Sequence, residues 1–152
     1  MSKQDETKQV LVIRRDLQMR RGKEGTQLCH ACIAFIRDRI KKAYADETPC
    51  SFRRCDICEI LQLTPEQLEW ILGDLTKKVV LQAKDEAELL EVDKLCREAK
   101  LEVFLIKDAG LTATGEGMQG VPTWTALGIG PNKFEDIDRI TGPAGIHPLK
   151  LY

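Results

Sequence analysis

Four short apolar runs punctuate the chain: Val10-Leu11-Val12-Ile13, Val79-Val80-Leu81, Val103-Phe104-Leu105-Ile106 and Trp124 to Ile129. Each is of strand length and near-continuous rather than alternating, which predicts strands covered on both faces. Between the second and third runs, Leu89, Val92, Leu95, Cys96 and Ala99 recur at helical spacing behind an Asp85-x-x-Glu88 capping box. This is a strand-helix-strand unit, whose strands are expected to be parallel and whose connection is expected to be right-handed, so the pattern places the core in the α/β class. Two more helices are predicted between the first and second runs. One spans about Lys23 to Tyr44 with Cys29, Ile33, Ile36 and Ile40 on one side. The other follows Thr64-Pro65-Glu66-Gln67, where Thr64 caps, Pro65 takes the first helical position and Gln67 closes the box, with Leu68, Trp70, Ile71 and Leu75 as its apolar face. A last helix is expected after Gly130-Pro131, capped by Asn132, presenting Phe134, Ile137 and Ile140, and stopped by Gly142-Pro143. The stretch from Asp108 to Pro122 holds four Gly, one Pro and no helical period. A loop of about fifteen residues inside a compact domain is more often functional than idle.

The 152 residues, at 17.2 kDa, suit a single domain over 1–152, with an insertion at about 46–63. With 43% hydrophobic and 31% charged residues and a mean hydropathy of -0.27, the composition excludes both a disordered chain and a membrane-embedded one. The polar start Met1-Ser2-Lys3-Gln4-Asp5-Glu6 runs into an apolar strand without a signal-peptide core, and the expected location is the cytoplasm. The net charge of -1 excludes a protein that coats nucleic acid with its whole surface. That average hides an asymmetry: residues 1–60 carry 13 Lys/Arg against 9 Asp/Glu, and residues 61–152 carry 10 against 15. A polyanion would meet the N-terminal half.

The densest chemistry lies in Gly22-Lys23-Glu24-Gly25-Thr26-Gln27-Leu28-Cys29-His30-Ala31. Lys23, Gln27 and His30 stand at i, i+4 and i+7, so a cation, an amide and an imidazole share one helix stripe. Such a stripe is either a solvated face or a site. The helix start, beside Arg14, Arg15, Arg20 and Arg21, is also a plausible phosphate seat.

Three blocks in order then carry a resemblance: Met19-x-x-Gly22-Lys23-x-x-x-Gln27-x-x-His30-Ala31, Asp108-Ala109-Gly110-x-Thr112, and Thr123-x-Thr125-x-Leu127-Gly128-Ile129-Gly130-Pro131. Together with Ile140-Thr141-Gly142 and Leu149-Lys150-Leu151-Tyr152, they resemble the type 2 peptidyl-tRNA hydrolase family over nearly the whole chain apart from the insertion. The resemblance implies a small α/β sandwich, usually dimeric, that hydrolyses the ester joining a peptide to the terminal ribose of tRNA. With the four apolar runs it gives a three-layer α/β/α sandwich around a four-stranded mixed, mostly parallel sheet. It implies that Lys23, Gln27, His30, Asp108, Thr112 and Thr123 line the site, with peptidyl-tRNA as the partner and no cofactor. In chemical terms, Asp108 at the end of a strand is placed to orient or deprotonate water, and Lys23 to stabilise an oxyanion or the terminal phosphate. Thr112, Thr123 and Gln27 would supply hydrogen bonds, while His30 is either a base or a structural residue. The loop from Thr112 to Thr123 is longer than in the family, which leaves room for Thr123 to be displaced. A noncatalytic RNA-binding or regulatory module on the same scaffold is the alternative.

Six cysteines in a cytosolic chain read as thiols or metal ligands rather than disulfides. Cys29-x-x-Cys32 and Cys55-x-x-Cys58 lie 22 residues apart, just beyond zinc-ribbon spacing, with Cys50 as a further candidate. Free thiols and no metal are the expectation. Gly115-x-Gly117-x-x-Gly120 matches a dinucleotide fingerprint by letter only, because it has no strand before it and no helix after it.

Overall fold

A computed structural model describes residues 7–45, 61–111 and 120–152. In chain order the elements are β1 (Thr7–Arg14), α1 (Arg21–Ala45), α2 (Pro65–Leu72), β2 (Lys78–Ala83), α3 (Glu86–Glu98), β3 (Val103–Asp108), β4 (Thr123–Lys133), α4 (Phe134–Thr141) and β5 (Lys150–Leu151). The α/β class is as read from the pattern, and all four apolar runs are strands. The sheet, however, has five strands in the order β3-β4-β1-β2-β5 rather than four. Nor is it mostly parallel: among the described residues only β1 and β2 pair in parallel, with Val10 opposite Val79, and the other three pairings are antiparallel. The strand-helix-strand unit does send β2 and β3 in one direction, but β1 and β4 stand between them. A hydrophobic run carries no information about its neighbour, so strand order escaped the pattern. The two-residue β5 escaped it because Lys150 and Leu151 are exposed and form no apolar run.

Each face of the sheet has its own core. Val10, Val12, Leu81, Leu127 and Ile129 pack with Leu89, Val92 and Cys96 of α3 and with Ile137 and Ile140 of α4. On the other face Leu11, Ile13 and Ala126 meet Leu17, Met19 and Ala31, the last from α1. The predicted apolar side of α1 is therefore not the side that packs. Cys29, Ile33 and Ile40 are exposed, whereas Gln27, Ala31 and Phe35 are buried. The reason is close approach: a Cβ on Gly128 of β4 would lie 2.5 Å from the Ala31 carbonyl oxygen, so the helix backbone rests almost directly on the sheet. Only the small Ala31 fits there. Phe35 then meets the Trp70 ring of α2 edge-on at 6.0 Å between centroids.

The caps are partly as predicted. Thr64 accepts the Gln67 N–H at 3.2 Å and Gln67 Oε1 accepts the Thr64 N–H at 3.1 Å, a complete box. Asp85 caps α3 by accepting the Glu88 N–H at 2.9 Å, but Glu88 turns to the Lys84 N–H instead of closing on Asp85. Asn132 is not the cap of α4. Pairing of Thr7 with Lys133 and of Lys8 with Asn132 keeps β4 extended through that point, and Lys133 caps without a side-chain bond.

Candidate active site

The C-terminal ends of β1, β2 and β3 and the start of α1 meet at one edge of the molecule. Lys23 lies in the first turn of α1 and Gln27 one turn later, so both project toward the last residue of β3, Asp108. Lys23 Nζ lies 2.5 Å from Asp108 Oδ2, and Gln27 Nε2 donates to the same oxygen at 2.9 Å. The Gly110 N–H donates to Asp108 Oδ1 at 2.8 Å. Gln27 is fixed from its other end by the Thr125 hydroxyl, which donates to Gln27 Oε1 at 2.6 Å. The amide orientation follows from chemistry, because an ionised carboxylate only accepts and so takes the NH₂ side, leaving the carbonyl for Thr125. The Asp108 and Lys23 side chains keep 10% and 17% exposure. The cluster is largely enclosed yet reachable from solvent.

Two glycines close the base of the following loop. Gly110 has φ +75°, and a Cβ there would meet the Val121 nitrogen at 2.7 Å. Its carbonyl accepts the Gly120 N–H at 2.9 Å, which holds the two ends of the loop together beside Asp108. Thr112 falls outside the described residues, as do Cys50, Cys55 and Cys58.

Thr123 does pair with Asp108 in the β3–β4 register, but its hydroxyl points elsewhere. It accepts from Arg14 Nη1 at 3.1 Å and donates to Glu86 Oε2 at 3.2 Å. The threonine hydroxyl that bonds Gln27 is that of Thr125. The β3–β4 register shifts between Ile106 and Lys107, and Thr125 is the extra residue on β4. Such a bulge re-aims a side chain, here toward Gln27. The spacing Thr123-x-Thr125 was visible in the sequence, but the bulge that separates their roles was not.

Arg14 also departs from expectation. It is buried, not part of an open phosphate seat: it forms a fork with Asp16 at 3.0 and 2.6 Å and lies 2.5 Å from Glu86. Burial lowers its pKa, but the hydrogen bond and charge of Asp16, followed by those of Glu86, outweigh this and raise it above the ordinary arginine value. Arg14 thereby ties the end of β1 to α3 and β4. Arg15 pairs with Glu24 at 3.0 Å and lies over the Tyr152 ring, whereas Arg20 and Arg21 are exposed. His30 is exposed too, outside the Lys23–Asp108–Gln27 network, and lines a separate cleft beside β3. Among the described residues no group of three His, Cys, Asp or Glu could hold a metal ion. Cys29, Cys32 and Cys96 are free thiols; burial raises the pKa of Cys32 and pushes that of Cys96 up to about 12.

The family model described as peptidyl-tRNA hydrolase PTH2 matches residues 7–146. The chain is 40% identical over 136 residues to a peptidyl-tRNA hydrolase of Methanopyrus kandleri, covering 89% of this chain and 93% of that protein. It is 36% identical over 135 residues to one from Methanothermobacter thermautotrophicus, covering 89% and 95% respectively. With one from Staphylothermus marinus it shares 30% identity over 145 residues, covering 93% and 96%.

Proposed function

The chain belongs to the peptidyl-tRNA hydrolase PTH2 family, and from this membership and the site geometry we propose that it hydrolyses the ester between a peptide and the terminal ribose of tRNA. The observation that carries the proposal is the convergence of Lys23, Gln27 and the Gly110 N–H on the one carboxylate of Asp108. Three donors, two from one helix and one from a tight turn, hold that carboxylate in place before substrate arrives. Asp108 accepts a proton from the attacking water as its oxygen bonds to the ester carbon. The carbon–oxygen bond to the ribose then breaks, and the ribose oxygen leaves as a hydroxyl by taking up the proton. Lys23 supplies positive charge where the tetrahedral oxyanion forms. Gln27, braced by Thr125, positions Asp108. Thr123 acts through Arg14 and Glu86 on the shape of the site, Thr112 supplies a hydrogen bond from the loop, and His30 sits outside the chemistry. A purely RNA-binding module is not favoured, because RNA contact calls for exposed cations and not for an enclosed carboxylate among donors.

Cores on both faces of the sheet support a three-layer α/β/α arrangement, and the exposed Ile33 and Ile40 support a homodimer. No helix among the described residues is long and apolar enough to cross a membrane, and work on tRNA supports a cytoplasmic location.

The test is release of labelled peptide from peptidyl-tRNA. Wild-type protein should turn over, and Asp108→Asn and Lys23→Ala should each lower kcat by roughly a hundredfold or more with unchanged folding by circular dichroism. Wild-type protein that binds tRNA without releasing peptide, or near-normal rates in both variants, would overturn the assignment.

A further inference from the structure

β3 stands last in the strand order, so among the described residues one of its edges is unpaired. The Glu102 carbonyl accepts the Gly130 N–H at 2.9 Å. Antiparallel alternation then turns the N–H and C=O of Phe104 and Ile106 toward β4, and those of Val103, Leu105 and Lys107 away from it. Arg97 Nη2, 3.5 Å from the Val103 oxygen, lies on that outward side. The outward edge forms the floor of a cleft of about 420 Å³, with His30, Ala34 and Arg37 of α1 on one wall and Arg97 and Trp124 also lining it. The cleft runs along β3 toward the site: Ile106 on its floor is two residues before Asp108 on the same strand, and His30 on its wall is three residues after Gln27 on the same helix.

Resting on the hydrolase reading above, we infer that this edge holds the peptide part of the substrate as an added strand. Only a segment with alternating donors and acceptors satisfies an edge that presents both N–H and C=O. The phosphates of an RNA backbone only accept, and its 2′-hydroxyls do not repeat at the spacing of a strand, so it would set phosphate charge against the outward carbonyl of Leu105. Direction follows from the chemistry. The scissile carbonyl is the C-terminal end of the peptide and must lie at Asp108, the C-terminal end of β3, so the peptide runs parallel to β3. At about 3.3 Å per residue, Leu105 meets the peptide about three residues from the ester. Main-chain bonding at that distance recognises length and extension and ignores side-chain identity.

The experiment uses tRNA carrying acetylated alanine chains of one to six residues. kcat/KM should rise by about tenfold or more between one and four residues, the worth of one to two added hydrogen bonds, and then level off. N-methylation of the peptide nitrogens at the third and fourth residues from the ester should erase the gain, whereas exchanging those alanines for serine should not. Leu105→Pro removes an outward N–H without breaking the ladder to β4 and should flatten the length dependence. Binding of a tetra-alanyl 3′-amino-adenosine, whose amide cannot be cleaved as the ester is, should shift the backbone amide resonances of Leu105 and Lys107. Equal kcat/KM for all lengths would overturn the inference and leave the hydrolase reading standing. Equal shifts with the trinucleotide CCA alone would assign the cleft to RNA and overturn it. No hydrolysis at any length would remove the hydrolase reading, and this inference with it.

Discussion

At the scale of single residues, Thr125 and Thr123 are separated by one position and serve different parts of the molecule. Thr125→Val removes the donor to Gln27 Oε1, leaving a buried amide oxygen unmet at a cost of about 1–3 kcal/mol, and it frees the amide that positions Asp108. Its kcat should fall about tenfold or more, with KM little changed. Thr123→Val loses bonds to Arg14 and Glu86 instead, so it should lower the melting temperature more than it lowers kcat. The reverse ranking in a paired kinetic and thermal comparison would contradict the assigned contacts. Cys96 gives a prediction in pH. Its thiol stays protonated in the folded protein up to about 12, while in the unfolded chain it ionises near its ordinary value of 9.0. Between those values the folded state holds the extra proton, so stability falls as pH rises, by up to about 1.4 kcal/mol per unit. The contribution is fully present below pH 9. Denaturant titrations above it should show this slope in the wild type and a reduced slope in Cys96→Ala, and alkylation at pH 8 should label exposed Cys29 before Cys96.

At the scale of elements, the contact between α1 and β4 decides where Lys23 and Gln27 go. Adding a methyl at Gly128 places it 2.5 Å from the Ala31 oxygen, which cannot yield without moving the helix. Gly128→Ala should therefore destabilise the fold by about 1–3 kcal/mol and lower kcat, because the helix that shifts carries Lys23 and Gln27, the two side chains that hold Asp108. A variant with unchanged melting temperature and unchanged kcat would show that α1 is not held there. Helix and strand types were legible because hydrophobic periodicity and capping residues are local; Thr64, Gln67 and Asp85 each act within three positions. The packed face of α1 was not legible. Its more hydrophobic stripe, Ile33 to Ile40, lost to the stripe bearing Ala31, since small size and not hydrophobicity is what the bare surface at Gly128 admits.

At the scale of the whole molecule, the excess positive charge of residues 1–60 is reduced at the site by internal pairing: Arg14 is buried against Asp16 and Glu86, and Arg15 is engaged with Glu24. Arg20 and Arg21 remain exposed beside Lys23 and are the cations available to phosphate. Reversing both to Glu should raise KM more than it lowers kcat, and tRNA affinity of the wild type should fall steeply with salt, with a shallower slope in the variant. Affinity flat across salt concentrations would remove this patch from the account. The sequence by itself determined the α/β class and the places of its helices and main strands, because hydrophobic period and capping are short-range properties; Lys23, Gln27 and Asp108 entered as candidates through the resemblance to the hydrolase family, and their meeting at one carboxylate is a tertiary fact. Strand order, the bulge that hands Gln27 to Thr125, the turning of Thr123 toward Arg14 and the exposure of His30 away from the Lys23–Asp108–Gln27 network were decided only by the tertiary structure. Each of these depends on surfaces brought together across the chain, as Gln27 and Asp108 are across 81 positions, where packing, charge pairing and the space left by a missing side chain choose among orientations that local pattern leaves equal.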